Sequence, residues 1–472
     1  MCGIVGFTSF NQVLPTLLKG LEKLEYRGYD SAGVYVNDGD QGDYLVKETG
    51  RVADLERATE NKNIKGTSGI AHTRWATHGG VSVENAHPHA SEDGRFYLAH
   101  NGVIENYDEL RDTYLQGVKL HSQTDTEVAV QLIDKFAKEE NLSAVDAFKK
   151  MIALLDGNSA YAFLLMDRQE PGIMYTAKKK SPLLIGVSDQ GNVVTSDAAA
   201  MLDITHDFIE LMDDEVAIVE KDKVTLFNAQ GEPITRLPFH LDIDAAETDK
   251  GVYPYYMLKE VDEQAIVTRT LSQYYFDDEN NIQNIDANII DAMKAADRLY
   301  IVAAGTSYHA GLVGKRYFEQ WAKIPTEVHI SSEFAYDQPM LSQKPFFIFL
   351  SQSGETADSR EVLDNITKQG YPTLTIANVM NSTLTREADF ALPLLAGPEI
   401  AVASTKAYTA QISVEAILAH AIGNSGLNLK LELAKVAVEM QVIIDQKEDF
   451  KAIAESALSG QRSAFYIGRG LD

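Results

Sequence analysis

The sequence predicts two unlike domains in tandem: an α+β domain of packed, sandwiched antiparallel sheets, then a doubly wound α/β domain built on a parallel sheet. Three observations predict this. Up to about Leu237 the chain holds many short β-type runs and few helices. Beyond about Leu299, apolar strands alternate with helical stretches. Between them Pro238–Gly251 is acidic and irregular and reads as a linker.

Element by element, Leu14, Leu17, Leu18, Leu21 and Leu24 recur at helical spacing, and that helix should end before Gly28. Val128, Leu132, Ile133 and Phe136 mark a second helix, and Ala147, Met151 and Leu154 a third. Strands are expected at Ser159–Asp167, Gly172–Ala177, Leu183–Val187, Val193–Ser196, Glu215–Val219 and Val224–Phe227, most bounded by Gly, Asp or Asn. The run Lys178-Lys179-Lys180 reads as solvated loop.

In the second half, strands Leu299–Ala303, Phe346–Leu350 and Thr373–Ala377 alternate with helices Gly305–Trp321 and Glu355–Lys368. A long helical stretch runs from about Ser404 to Leu458, and Ala464–Ile467 reads as a strand entering Gly468-Arg469-Gly470. A doubly wound domain opened there needs on the order of 100 further residues, so a further, incomplete domain is expected at the C-terminus. The expected division is 1–237, a linker and connecting helix over 238–285, a sheet domain over 286–425, and 426–472.

Composition narrows the function classes. A net charge of −27 over 472 residues argues against nucleic acid or anionic membranes as partners. Anionic ligands must then be held by helix N-termini and single arginines. One cysteine excludes an intrachain disulfide framework and any cysteine-rich zinc site. Met1–Phe10 lacks the basic region of a signal peptide, and no continuous apolar run of about 18 residues is present. A soluble, cytoplasmic protein is expected.

That one cysteine is Cys2, directly behind the initiator methionine. Removal of the methionine would give one residue both a thiol and a free α-amine. The amine's ordinary pKa of about 7.7–8.0, against about 8.5 for a thiol, suits it to act as the thiol's base.

Four polar clusters follow among glycines and small residues: Tyr26-Arg27-Gly28-Tyr29-Asp30, His72-Thr73-Arg74-Trp75-Ala76-Thr77-His78-Gly79, His100-Asn101-Gly102 and Thr124-Asp125-Thr126-Glu127. Alone each is weak; Asn101-Gly102 by itself suggests a tight turn. Together with the cysteine they compose an amidase site. An Asn side chain and a glycine N–H suit an oxyanion, while Arg74 and Asp125 suit the carboxylate and ammonium of an amino-acid substrate. His72, His78, His87, His89 and His100 lack the helical spacing or cysteine partners of a zinc site, so no metal is expected.

The cysteine start and these clusters, in this order, resemble the glutaminase domain of class II glutamine amidotransferases, which are N-terminal-nucleophile hydrolases. Arg27–Ser31, Ala71–Gly79, Asn85–His89 and Thr124–Val128 resemble most the branch that aminates a sugar phosphate. The resemblance implies Cys2 as nucleophile and Asn101 and Gly102 as the oxyanion hole. It implies Arg74, Thr77, His78 and Asp125 as holding glutamine, with Trp75 closing over the site and gating ammonia transfer.

Independently, strand Phe346–Leu350 runs into Ser351-Gln352-Ser353-Gly354-Glu355-Thr356 at a helix start. Hydroxyls and N–H groups there form an anion cradle, which the density of hydroxyls favours over the alternative that Ser353 and Thr356 are ordinary helix caps. Gly305-Thr306-Ser307 occupies the matching turn of an earlier strand. These turns and Val402-Ala403-Ser404-Thr405-Lys406 resemble the sugar isomerase domain of the same branch. By that resemblance Thr306, Ser307, Ser351, Gln352, Ser353 and Thr356 bind the sugar phosphate and Val402 lies against the sugar. The branch often has cysteine where this chain has Ala304, a change expected to affect packing or redox sensitivity only.

The implied reaction takes ammonia from glutamine and passes it internally to fructose 6-phosphate, giving glucosamine 6-phosphate, in a homodimer or higher homo-oligomer. The residues that would supply the isomerising chemistry are expected past Asp472, leaving the synthase half incomplete. No cofactor is implied: neither a Gly-x-Gly-x-x-Gly turn after a strand nor a Gly-x-x-x-x-Gly-Lys loop occurs. Other amidotransferases are weaker alternatives, lacking here a phosphoribosyl-binding acidic strand end or a Ser-Gly-Gly pyrophosphate loop. A glutaminase joined to a non-catalytic phosphosugar sensor stays open.

Overall fold

A computed structural model describes residues 2–39, 42–76, 79–241, 248, 250–423, 425–465 and 467–468, in two compact units, Met1–Asp249 and Lys250–Asp472.

Two antiparallel sheets form the first unit. The eight-stranded sheet runs, edge to edge, Phe239–His240, Asp207–Glu210, Leu184–Gly186, Gly191–Thr195, Gly3–Ser9, Ser68–Arg74, Ser31–Asn37, Asp43–Thr49. The seven-stranded sheet runs Pro233–Ile234, Val224–Phe227, Val216–Val219, Met174–Lys179, Ala160–Asp167, Phe96–Val103, His89–Ala90.

Strand alternation decides the layers. Ile4, Tyr35, Ile70, Ala99, Ala162 and Leu164 meet between the sheets. Their chain neighbours Val5, Val34 and Ala71 point outward, onto Leu17 and Leu21 of helix Leu14–Lys23 and Leu55 of helix Val52–Glu60. On the opposite side Leu98, Phe163 and Leu165 pack on helices Asp125–Glu139 and Ala144–Ala153 through Leu132, Ile133, Phe148 and Met151. The result is a helix–sheet–sheet–helix sandwich in which each fully buried apolar side chain contributes about 1.5–3 kcal/mol. Gly6 lets the sheets approach: a Cβ there would lie 2.6 Å from Leu164 Cδ2 and 2.8 Å from Met174 Sδ.

Three expectations change. His100-Asn101-Gly102 is no turn but part of strand Phe96–Val103, paired with Ala160–Asp167. Lys178 and Lys179 end a strand, and buried Lys178 meets Asp213 at 2.9 Å, because the basic run faces the acidic Asp213-Asp214 turn rather than water. The presumed linker contributes edge strand Phe239–His240, while 242–247 lie outside the described residues.

The second unit holds a five-stranded parallel sheet ordered Thr326–Ile330, Arg298–Ala303, Pro345–Ser351, Thr373–Ala377, Phe390–Pro393. Chain order along it is 2-1-3-4-5, so the winding reverses between Arg298–Ala303 and Pro345–Ser351, where a doubly wound sheet opens a ligand crevice. Phe346, Ile348 and Leu350 face a cluster that includes Leu271, Met293, Ala310, Val414 and Leu433. Phe347 and Phe349 face Phe334, Val362, Leu363 and Ile366.

The expected helix Gly305–Trp321 is α-helical to Tyr317 and then widens to a π turn over Phe318–Ala322, stopped by Lys323 at φ 60°. The long helical stretch is three helices, Lys406–Gly423, Leu429–Asp445 and Lys447–Leu458, broken near Gly426 (φ 74°) and at Gln446. The strand expected at Ala464–Ile467 is not seen among the described residues, where Phe465 is 88% and Ile467 95% exposed; Tyr466 lies outside them. No described helix is long and apolar enough to cross a membrane.

Candidate active site

The first strand of the first unit starts at Gly3, and its pairing sets what surrounds Cys2. Gly3 pairs with Thr73 and Ile4 with His72, which places Cys2 beside Arg74 and Trp75 at the sheet's end. The Trp75 N–H donates to Cys2 Sγ at 3.3 Å, and the Trp75 carbonyl lies 3.6 Å from the same sulfur as acceptor. Burial pushes the Cys2 thiol pKa up, opposed by the Trp75 hydrogen bond and the Arg74 charge. Trp75 itself is 39% exposed and edge-on to Tyr29.

Asn101 approaches from the other sheet and donates its side-chain amide to the Cys2 carbonyl at 2.9 Å. Beside it Gly102 holds φ +135°, and a Cβ there would lie 1.9 Å from the Ala160 carbonyl oxygen. Only glycine fits that backbone.

Asp125 opens helix Asp125–Glu139, where its carboxylate suits the positive end of the helix. Its Oδ2 accepts the Ile104 N–H at 2.8 Å and its Oδ1 the Thr126 hydroxyl at 3.3 Å. Arg74 donates to the carbonyls of Gly80 at 3.2 Å and Gly79 at 3.4 Å; Asn85 also donates to Gly80, at 2.9 Å.

Cys2, Arg74, Trp75, Gly102 and Asp125 line one open cleft of about 270 Å³. Five of the eight residues expected at the glutaminase site thus meet there, and Asn101 stands behind Cys2. Thr77 and His78 lie outside the described residues. His87, His100, Thr124 and Thr126 also line the cleft and were missed as site residues. The threonines flank Asp125 and His100 precedes Asn101, but nothing in their spacing separates lining from packing.

The buried histidines pack against one another as a wall of the site. His72 stacks on His87 at 4.3 Å and His87 meets His89 edge-on at 4.7 Å. Burial pulls His72 down to about 3 and His87 and His89 well below the ordinary histidine range, so these three are neutral. Among the described residues no group of three or more His, Cys, Asp or Glu side chains is placed to hold a metal ion.

In the second unit, Ala303 pairs with Leu350, so the turns Gly305-Thr306-Ser307 and Ser351–Thr356 stand side by side at the winding reversal. Ser351 Oγ accepts the Gly354 N–H at 2.9 Å and lies 3.2 Å from Thr356 Oγ1. Thr356 sits at the N-cap of helix Ala357–Lys368 without a side-chain cap bond, so the capping alternative does not account for its hydroxyl. Ser353 Oγ accepts the Glu355 N–H at 3.2 Å, and the Gln352 carbonyl accepts the Asn378 N–H at 3.1 Å. Ser307 is buried and accepts from Gln411 Nε2 at 2.9 Å; Thr306 is exposed. Val402 is exposed on a loop whose Ile400 and Ala401 N–H groups are held by Glu260 at 2.6 and 2.9 Å.

Comparison with known proteins gives two family matches, a glutamine amidotransferase domain over residues 72–203 and an SIS domain over residues 292–421. A glutamine–fructose-6-phosphate aminotransferase (isomerizing) of Lactiplantibacillus plantarum is 60% identical over 479 residues, spanning 100% of this chain and 79% of the relative. Relatives of the same name from Geobacillus kaustophilus and Bacillus subtilis are 54% and 53% identical over 477 residues, spanning 100% of this chain and 78% of each. The solved C-terminal domain of a glucosamine-fructose-6-phosphate aminotransferase from Francisella tularensis is 35% identical, with a TM-score of 0.42 over 47% of this chain and 64% of that one.

Proposed function

This chain belongs to the glutamine–fructose-6-phosphate aminotransferase (isomerizing) family, and on that premise we propose that its first unit frees ammonia from glutamine at Cys2 while its second binds the acceptor sugar phosphate. The family reaction moves the amide nitrogen of glutamine onto fructose 6-phosphate, yielding glutamate and glucosamine 6-phosphate for amino sugar synthesis.

In the glutaminase step the Cys2 sulfur bonds to the carboxamide carbon of glutamine. The C–N bond then breaks and ammonia leaves, carrying the proton taken from the thiol. Water hydrolyses the resulting γ-glutamyl thioester to glutamate and regenerates the thiol. Burial raises the thiol pKa, so the thiol needs a base. Removal of the leading methionine supplies one, the α-amine of Cys2 itself. Asn101 and Gly102 stabilise the oxyanion, Arg74 takes the substrate carboxylate and Asp125 its ammonium. Thr77 and His78 complete the glutamine pocket, and Trp75 closes over it and gates ammonia transfer. The observation that supports this most is the convergence of Cys2, Arg74, Gly102 and Asp125 on one cleft.

For the acceptor, Thr306, Ser307, Ser351, Gln352, Ser353 and Thr356 bind the sugar phosphate and Val402 contacts the sugar. The juxtaposed hydroxyl-rich turns support this, since such turns hold a phosphate without net positive charge. The protein is further proposed to be a cytoplasmic homo-oligomer.

Glutamate release from glutamine, with and without fructose 6-phosphate, tests both halves. Cys2→Ala should lose at least about 10³-fold in turnover, and fructose 6-phosphate should raise the wild-type rate. Wild-type turnover in Cys2→Ala would overturn the glutaminase assignment, and indifference to fructose 6-phosphate the acceptor assignment.

A further inference from the structure

The geometry points to His72 as a positioning residue that fixes which way round the Asn101 side-chain amide stands beside Cys2. The inference rests on Asn101 serving as an oxyanion donor, as proposed above.

His72 is fully buried on strand Ser68–Arg74, and its Nε2 lies 3.0 Å from Asn101 Oδ1 and 3.1 Å from the His100 carbonyl oxygen. A backbone carbonyl only accepts, so His72 Nε2 must carry the hydrogen. The other end of the chain of contacts is also a carbonyl, that of Cys2, 2.9 Å from Asn101 Nδ2. An acceptor there demands the NH2 end of the amide. Both ends therefore impose one polarity: His72 N–H to Asn101 oxygen, Asn101 NH2 to Cys2. The opposite flip would set oxygen against oxygen at Cys2 and N–H against N–H at His72.

Two further features agree with this. The ring stacks on His87, which holds it in the plane that presents Nε2 to Asn101. Nδ1 is buried with no hydrogen-bond partner among the described residues, so no acceptor there competes for the ring's one hydrogen. A neutral imidazole held this way neither gives nor takes a proton; it acts through Asn101. Because Asn101 NH2 has two hydrogens, one can stay on the Cys2 carbonyl while the other meets the oxyanion. Loss of the His72 N–H should therefore reduce kcat, leaving KM for glutamine nearly unchanged.

A double-mutant cycle on glutamine hydrolysis by the full chain tests this. His72→Phe keeps a ring to stack but has no N–H; it should lower kcat by about 10²-fold, the usual loss for one oxyanion donor, with KM changed less than about threefold. His72→Gln restores an N–H donor and should recover part of the loss, and it serves as the working variant if His72→Phe does not fold. In an Asn101→Ala background, either His72 substitution should cost less than about threefold more. An equal loss in both backgrounds, or a loss confined to KM, would overturn the role assigned to His72. If Asn101→Ala alone turned over like wild type, the oxyanion assignment itself would fall, and the inference with it. Imidazole nitrogen NMR gives a readout independent of turnover: the His72 signal should keep one neutral Nε2–H form from pH 5 to pH 9, and an Nδ1–H form would overturn the assignment.

Discussion

The backbone of Trp75 meets the Cys2 sulfur twice, its N–H donating at 3.3 Å and its carbonyl lying 3.6 Å from the sulfur. The pair of contacts keeps a half-buried thiol in place without itself supplying a base. The base has to come from elsewhere.

An N-terminal extension that prevents methionine removal should therefore silence the enzyme with its thiol intact. Burial raises the thiol pKa, so alkylation of Cys2 by iodoacetamide should rise with pH through and above the ordinary thiol value of about 8.5. Glutamine turnover should fall by about 10²–10⁴-fold, the usual contribution of a general base. Turnover comparable to the processed protein, measured as glutamate release, would count against the α-amine.

Gly102→Ala places a methyl group 1.9 Å from the Ala160 carbonyl at a φ of +135°. The strand must shift, at a cost of roughly 1–3 kcal/mol, and the backbone N–H beside the nucleophile shifts with it. The melting temperature should drop, and kcat should fall by about 10²-fold or more. Unchanged kcat would rule out the Gly102 N–H as an oxyanion donor.

Glu260 should make stability depend on pH in the acidic range. Burial pushes its pKa up to about 7, against hydrogen bonds from Ala401 and Ile400 that pull it down. The folded state then keeps a proton that the unfolded chain releases near about 4.3. The stability this brings is fully present below that pH and is lost as pH rises to about 7. Glu260→Gln retains the acceptor for the 400–401 N–H groups and does not titrate. Denaturation between pH 4.5 and pH 7 should show a flatter dependence than wild type; an equal slope would contradict the assignment.

Glu415 gives a second, independent case. Its carboxyl is fully buried on helix Lys406–Gly423, with no hydrogen-bond partner on either oxygen among the described residues, and sits directly on Gly314. Burial drives its pKa well above the usual carboxylate range; Tyr317 and Tyr408 are the titratable groups that sense it. Raising pH above about 4.3 should erode stability by up to about 1.4 kcal/mol per pH unit until Glu415 ionises. Glu415→Gln should raise the melting temperature relative to wild type, and more at pH 8 than at pH 5. A lower melting temperature at pH 8 would show that the carboxyl has a compensating partner.

Much of this was legible in the chain itself, and the exceptions share a cause. The parallel strands Arg298–Ala303, Pro345–Ser351 and Thr373–Ala377 are near-continuous apolar runs, because both their faces are buried, and they read as strands at once. Ser68–Arg74 is buried along its whole length as well, yet its His, Thr and Arg hide the apolar signal. The same polar content disguised Phe96–Val103, whose Asn-Gly pair suggests a turn only in isolation. Ala464–Ile467 erred the other way: it has strand composition, but pairing is a property of two segments and not of one.

The sequence alone determined the chemical inventory: one thiol at position 2, a guanidinium at Arg74, an amide at Asn101, a carboxylate at Asp125 and two hydroxyl-rich turns after apolar strands. It also determined the change of grammar between the halves, since periodicity and turn residues are local properties. Tertiary structure decided which groups face each other. Gly3 opposite Thr73 and Ile4 opposite His72 set Cys2 beside Arg74, and a one-residue slip of that register would turn every side chain of the strand to the other face. Asn101 reaches Cys2 from a different sheet, and His72 orients it through a contact between residues 29 positions apart. Such contacts depend on strand register and sheet packing, which are global outcomes of burying both sheets at once.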